Sequence, residues 1–233
     1  MTRKPRTAAA QDGEDLDLWS DIRPEASQRL LLAALQSFAD RGFHGTTTRD
    51  IAKRARMSPA ALYSHYPSKA ELLHQISRAT HEGMLRLMQD SFAREAKPVE
   101  RLTNLVRTHA RYHALHHTAA RVANYELHSL LPRHRAEVQK LRVSMENVMH
   151  EAIRLGVESG DFVVQDINLA SIALLSLGID IARWYRPGGR LTPDQLADSY
   201  AEYAHSVLRG GARFAPVAAG LRRRGVAGTR RGG

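Results

Sequence analysis

A chain of 233 residues with 43% hydrophobic residues and a formal net charge of +10 has room for one sizeable domain, or a small head on a larger body. It contains no cysteine, which excludes a disulfide scaffold and thiolate chemistry. The basic start Met1–Arg6 is followed by Gln11-Asp12-Gly13-Glu14-Asp15 rather than an apolar core, and the longest apolar stretch, Leu169 to Ala182, carries Asp180; neither export nor a membrane span is expected, so the location is read as cytoplasmic.

Residues 1–20 are polar and mixed in charge and are expected to be disordered. Residues 21–68 read as a helical head, because three helix starts announce themselves by their caps. Thr47-Thr48-Arg49-Asp50 can form a capping box with Asp50 in the positive first turn, placing a helix start near Thr48. Ser58-Pro59 pairs a serine cap with proline at the first helical position, and predicts a helix over 59–65. Ser68-Lys69-Ala70-Glu71 is a Ser-x-x-Glu box for a longer helix from Lys69. Only Ala55-Arg56-Met57 remain between the first two, the length of a tight helix-turn-helix whose second helix can enter a major groove.

From Lys69 to residue 210 the spacing is helical almost throughout. Leu72, Leu73, Ile76, Met84, Leu87 and Met88 recur every three or four residues, as do Leu102, Leu105, Val106 and Leu115. Pro98 and Pro132 open helices, and the second carries Val138, Leu141, Met145, Met149 and Ile153 toward a stop at Gly160. Asp166 caps a strongly apolar helix through Trp184, and Thr192-Pro193-Asp194-Gln195 caps the last helix. The first of these two must bury more than one face, and a partner subunit is expected against it, so that a charge at Leu174 or Leu175 would break a dimer. Residues 211–233 form an Arg/Gly-rich tail expected to be disordered. No segment alternates with period two, and the fold class is all-α: a three-helix head plus a larger helical body.

Charge concentrates in the head. Between Arg41 and Lys69 six basic residues, Arg41, Arg49, Lys53, Arg54, Arg56 and Lys69, face one acid, Asp50, as phosphate neutralisation requires. No phosphate-cradling glycine loop, nucleophile elbow or paired-cysteine zinc spacing occurs; catalysis has no support and no cofactor is implied. His109, His113 and His117 share a helical face and offer an alternative reading as a metal sensor, with His116 beside them. A helical interaction protein without DNA binding is the other alternative.

The run Thr-Thr-x-x-x-Ile-Ala, then Ser-Pro-Ala-Ala-Leu-Tyr-x-His-Tyr-Pro-Ser-Lys-x-Glu-Leu-Leu, from Thr46 to Leu73 within a likeness that starts near Pro24, resembles the DNA-binding head of the tetracycline-repressor (TetR) family. One position departs: Arg56 stands where that turn usually carries glycine, and a positive backbone angle there would cost about 1 kcal/mol. The resemblance implies a homodimer formed by the last two helices, a palindromic operator and a small-molecule effector. On that footing Thr47, Thr48, Tyr63, His65 and Lys69 are the candidates for phosphate contacts, and Arg49, Ala60 and Ala61 for base edges. The segments Asn124-Tyr125 with His128, and Arg183-Trp184, resemble the subset governing fatty-acid and sterol breakdown, whose effectors are coenzyme A thioesters. Met84, Met88, Met145 and Met149 are expected to hold the apolar group, with Tyr112 beside them.

Overall fold

The computed structural model describes residues 18–95 and 97–209; the disordered segments expected before residue 18 and after residue 209 lie outside them. Nine α-helices and no strand are found among the described residues. The head comprises α1 (Glu25–Arg41), α2 (Thr48–Arg54) and α3 (Pro59–His65). The body comprises α4 (Lys69–Arg94), α5 (Pro98–Leu115), α6 (His117–Tyr125), α7 (Pro132–Glu158), α8 (Ile167–Trp184) and α9 (Pro193–Arg209). A single 3₁₀ turn, Leu127–Ser129, joins α6 to α7.

The helix starts fall where their caps place them. Thr47 and Asp50 close a reciprocal capping box, with Thr47 N donating to Asp50 Oδ2 at 2.9 Å and Asp50 N to Thr47 Oγ1 at 3.2 Å. Ser58 Oγ accepts from Ala61 N, and Asp166 Oδ1 from Leu169 N. The box at Ser68 forms only by half: its hydroxyl accepts from Glu71 N at 3.2 Å, while the Glu71 side chain turns away to accept from Gln75 Nε2.

The turn after α2 has Arg56 at φ +57°. Met57 N donates to Ala52 O and Arg56 N to Lys53 O, the paired bonds of a Schellman ending, in which the left-handed residue usually is glycine. The positive angle anticipated for this departure is present, and the strain is about 1 kcal/mol.

Two expectations about boundaries are revised. Residues 18–20 belong to the ordered structure: Trp19 is buried against α1, and Gln28 Nε2 donates to Trp19 O at 3.0 Å and Ile22 O at 2.9 Å. The head is not a separate core after residue 68 either, because Leu72, Leu73 and Ile76 of α4 pack with Leu30, Leu31, Phe38, Ile51 and Leu62, and Ala119, Val122 and Val138 complete that cluster.

In the body α4 packs on α5, α6 and α7, α8 crosses those three from the other side, and α9 lies along α5. Gly178 permits the close approach of α8 to α5, since a Cβ there would stand 2.1 Å from His109 Nδ1. Leu174 is buried in the intramolecular core and Leu175 half-buried toward it, so neither is the outward position expected of them. The outward residues of α8 and α9 are Leu169, Ile172, Leu177, Trp184, Tyr203 and Val207. The helix α8 is by length and composition apolar enough to cross a membrane, yet it carries Asp180 and Arg183 in mutual ion pairing.

Candidate DNA-binding head and effector cavity

In the head the predicted contact residues divide into those facing outward and those consumed inside. Arg49, Ala60 and Tyr63 are exposed, Thr48 and Ala61 half-buried beside them. Thr48 Oγ1 lies 3.1 Å from Tyr63 Oη, so α2 and α3 are tied at the surface a duplex would meet. Thr47 is exposed, but its hydroxyl is taken up by Asp50, whose carboxyl is held below the usual range first by the Thr47 hydroxyl and then by its backbone amide.

His65 and Lys69 are corrected. His65 Nδ1 bonds Ser27 Oγ at 3.0 Å and fastens the end of α3 to α1. Lys69 Nζ donates to Phe43 O and Thr46 O, both at 2.8 Å, with the ammonium 4.4 Å from the Phe43 ring centroid. Both side chains brace the head from within. Charge is also reduced locally: Arg54 pairs with Asp40 at 2.6 Å and Arg41 with Asp50 at 3.5 Å. Arg49, Lys53 and Arg56 are left exposed without a carboxylate partner among the described residues.

Below the head, α4, α5, α6, α7 and α8 enclose a cavity of about 140 Å³. Of the predicted effector residues, Met84, Tyr112, Asn124 and Met145 line it. Met88 and Met149 do not; they are fully buried packing deeper in the bundle. Tyr125 and Arg183 line a different cleft of about 320 Å³, between α6, α8 and the loop after α1, together with Arg121. His128 and Trp184 are exposed and line neither space. The resemblance placed these residues by sequence neighbourhood, whereas α6 ends at Tyr125 and α8 turns Trp184 outward.

The cavity has a polar wall of His81, His109, His113 and Arg142, of which sequence reasoning singled out His109 and His113 and missed His81 and Arg142. Arg142 sits in register with Val138, Met145 and Met149 on the inward stripe of α7, and that was the signal available. Its Nη1 donates to Asn124 Oδ1 at 2.7 Å and lies 3.4 Å from His81 Nε2. Asn124 Nδ2 in turn donates to Ala120 O at 2.8 Å. Burial lowers the Arg142 pKa, partly offset by Glu146 one turn on.

The histidines are neutral acceptors. His81 Nδ1 donates to Ser77 O at 2.7 Å and His113 Nδ1 to His109 O at 2.9 Å, which leaves each Nε2 with its lone pair. Burial pushes His81 and His113 down to about 4, and His109 well below its ordinary value, with His113 adding to the effect on His109. His109 and His113 do share a face, with ring centroids 4.4 Å apart, but His117 does not join them, because the helix breaks at His116 (φ −101°, ψ 37°) and His117 starts α6, packed edge-on against Tyr185.

Comparisons with known proteins show the family and the fold. Residues 30–76 match the family model described as bacterial regulatory proteins, tetR family, and residues 95–208 match tetracyclin repressor-like, C-terminal domain. The transcriptional repressor KstR2 of Mycobacterium tuberculosis is 32% identical over 175 residues, 73% of this chain and 86% of that protein. A tetR-family regulatory protein from Rhodococcus RHA1 superposes with a TM-score of 0.76 at 36% identity, over 80% of this chain and 98% of that one. The structure of AibR in complex with isovaleryl coenzyme A and operator DNA superposes with a TM-score of 0.70 at 25% identity, over 76% and 97%.

Proposed function

The chain belongs to the tetR family of bacterial transcription regulators, as a repressor and not an enzyme, and from that premise we propose that it binds a palindromic operator as a homodimer and releases it when an acyl coenzyme A thioester enters the cavity. Its place of action is then the cytoplasm. The observation that carries the reading is a single helix: the first turns of α4 supply Leu72, Leu73 and Ile76 to the head core, and its next turns supply Thr80, His81 and Met84 to the cavity wall. A displacement at the cavity is transmitted along one rigid element to the recognition surface.

The chemistry of the cavity favours an acyl group with a carbonyl or anionic neighbour. Met84, Met145, Ile172, Leu175 and Ile179 form an adaptable apolar wall. Arg142 is a half-buried cation whose hydrogen-bond neighbours, Asn124 and His81, are neutral, with Glu146 one turn on, so a thioester oxygen or a charge beyond it gains a donor already desolvated. A cavity of about 140 Å³ holds a group of roughly benzene size. Bulkier acyl groups have to spread α4 from α7, and that requirement links ligand size to release. The kinship with a repressor of the KstR2 type and with a structure holding isovaleryl coenzyme A supports the same class.

The DNA side is tested by fluorescence anisotropy with a palindromic duplex. Three free basic side chains per head, Arg49, Lys53 and Arg56, give six per dimer. Affinity is expected to fall about 10³-fold between 50 and 200 mM salt if six phosphates are neutralised. Arg49→Ala should lose about 10-fold or more on the operator, with relaxed base preference at one position of each half-site. Salt-insensitive binding, or an operator affinity unchanged by Arg49→Ala, would remove the head from the proposed interface.

A further inference from the structure

A second site lies outside the cavity, where the first turns of α4 and α7 meet. Glu71, His74 and His134 bring one ligand atom each to within 4.8 Å of one another. His74 Nδ1 is 3.5 Å from Glu71 Oε1, and His134 Nε2 is 3.8 Å from Glu71 Oε2. The two imidazoles are buried and stack with ring centroids 3.8 Å apart at an interplanar angle of 6°.

The hydrogen bonds around them fix which nitrogens carry lone pairs. His74 Nε2 lies 2.8 Å from Glu137 Oε2 and must donate to it; in the neutral ring Nδ1 then carries the lone pair, 3.5 Å from Glu71 Oε1. His134 Nε2 accepts from Arg133 Nε at 3.1 Å, so its lone pair is on the nitrogen facing Glu71 as well. Its Nδ1 is buried without a hydrogen-bond partner among the described residues. With both rings neutral, two basic nitrogens thus lie beside the Glu71 carboxylate, that of His134 holding the Arg133 guanidinium N–H. The Glu137–His74 pair has the form of a carboxylate that orients a metal-ligating imidazole. Glu71, meanwhile, forgoes the reciprocal half of the capping box that its sequence position offers.

We propose that Glu71, His74 and His134 bind a divalent transition cation of the zinc type, with Glu137 positioning His74, and that the bound ion clamps the start of α4 to the start of α7. Two nitrogens and one carboxylate oxygen suit zinc, and metal–ligand bonds of about 2.0–2.2 Å leave a fourth position for water. Ligands of one tetrahedral ion stand about 3.3 Å apart on those bond lengths; the three ligand atoms lie within 4.8 Å of one another, and the stacked imidazoles have to turn out of parallel for both lone pairs to meet one ion. Arg133, which is exposed, has to swing into solvent. The clamp would fasten the helix that leaves the head, next to Leu72 and Leu73 of the head core.

The experiment uses the full chain without an affinity tag, stripped with chelator and titrated with Co(II) and Zn(II). The expected result is one Co(II) per chain with the visible absorption of a four-coordinate ion, displaced by Zn(II), and a melting temperature raised by Zn(II) and restored by chelator. His134→Gln and the milder Glu71→Gln should weaken binding at least 10-fold. Glu137→Gln should weaken it about 10–100-fold with the shape of the Co(II) spectrum kept, and the exposed His128→Gln should leave it unchanged. Absence of both the Co(II) band and the thermal shift in the wild-type chain would overturn the proposal, as would equal affinity in Glu71→Gln, a half-exposed and isosteric change that does not threaten the fold.

Discussion

Leu177→Glu is expected to convert the protein to a monomer and to lower operator affinity by about 10³-fold or more. Leu177 is 48% exposed on α8, in a face continued by Leu169 at 64%, and Tyr203 and Val207 of α9 at 60% and 51%. So many large apolar side chains on two adjacent helices mark an association surface. Two-fold symmetry puts each added carboxylate into the interface twice, and a buried charge without a partner costs several kcal/mol. A monomer keeps one short recognition helix and loses the second half-site, which acts at high effective concentration in a dimer. Because Leu177 is not core, the circular dichroism spectrum and melting cooperativity should persist. Light scattering with anisotropy checks the result, and a dimeric, operator-competent Leu177→Glu would move the interface elsewhere. The same substitution at Leu174, buried to 5%, should unfold the body instead.

Acidification from pH 7.5 to 4.5 is expected to destabilise the fold by several kcal/mol, through the cavity histidines. His81 and His113 have folded pKa values of about 4 against 6.5 for the free side chain, caused first by burial. A base depressed in the folded state binds its proton more readily when unfolded. Its contribution is therefore complete above about pH 6.5, is lost as the pH falls toward 4, and changes no further below that. At 1.36 kcal/mol per unit each histidine contributes about 3 kcal/mol over the full window, less for the pair than twice one because they face a common cavity. Total stabilities of about 5–15 kcal/mol are usual, so thermal melts should shift by roughly 10 °C or more. A melting temperature flat between pH 7.5 and 5 would show that these imidazoles are hydrated.

The helix starts were legible because a cap is a local device: Thr47, Ser58, Asp166 and Thr192 each act on the amide three residues away. The break at His116 was not, since no proline or glycine marks it and the bend is imposed by packing α6 across α4 and α8. The outward contacts of the head were only partly legible. Lys69 and His65 have the right chemistry for phosphate, but long and aromatic side chains can fold back, and here the carbonyls of Phe43 and Thr46 and the hydroxyl of Ser27 claim them. The methionines were chosen by type, which cannot say that Met84 and Met145 face a cavity while Met88 and Met149 face packed side chains. Arg142 was hidden by being one charge among many on α7, although its register with Val138 and Met145 pointed inward. Tertiary assembly decides such questions: the cavity exists only once five helices are in place.

The central claim, that an acyl thioester in the cavity releases operator DNA, is tested most directly by operator anisotropy titrated with isovaleryl coenzyme A, bulkier acyl thioesters, free coenzyme A and the free acids, in wild type and Arg142→Met. Tight binding alone does not suffice, because moving a population from 1:99 to 99:1 takes about 5.5 kcal/mol of differential affinity. The account predicts that thioesters weaken operator binding at least 10-fold in the wild-type protein, increasingly with acyl bulk, and that Arg142→Met keeps operator affinity while losing this response. Operator affinity that no thioester alters, or a response left intact in Arg142→Met, would contradict it.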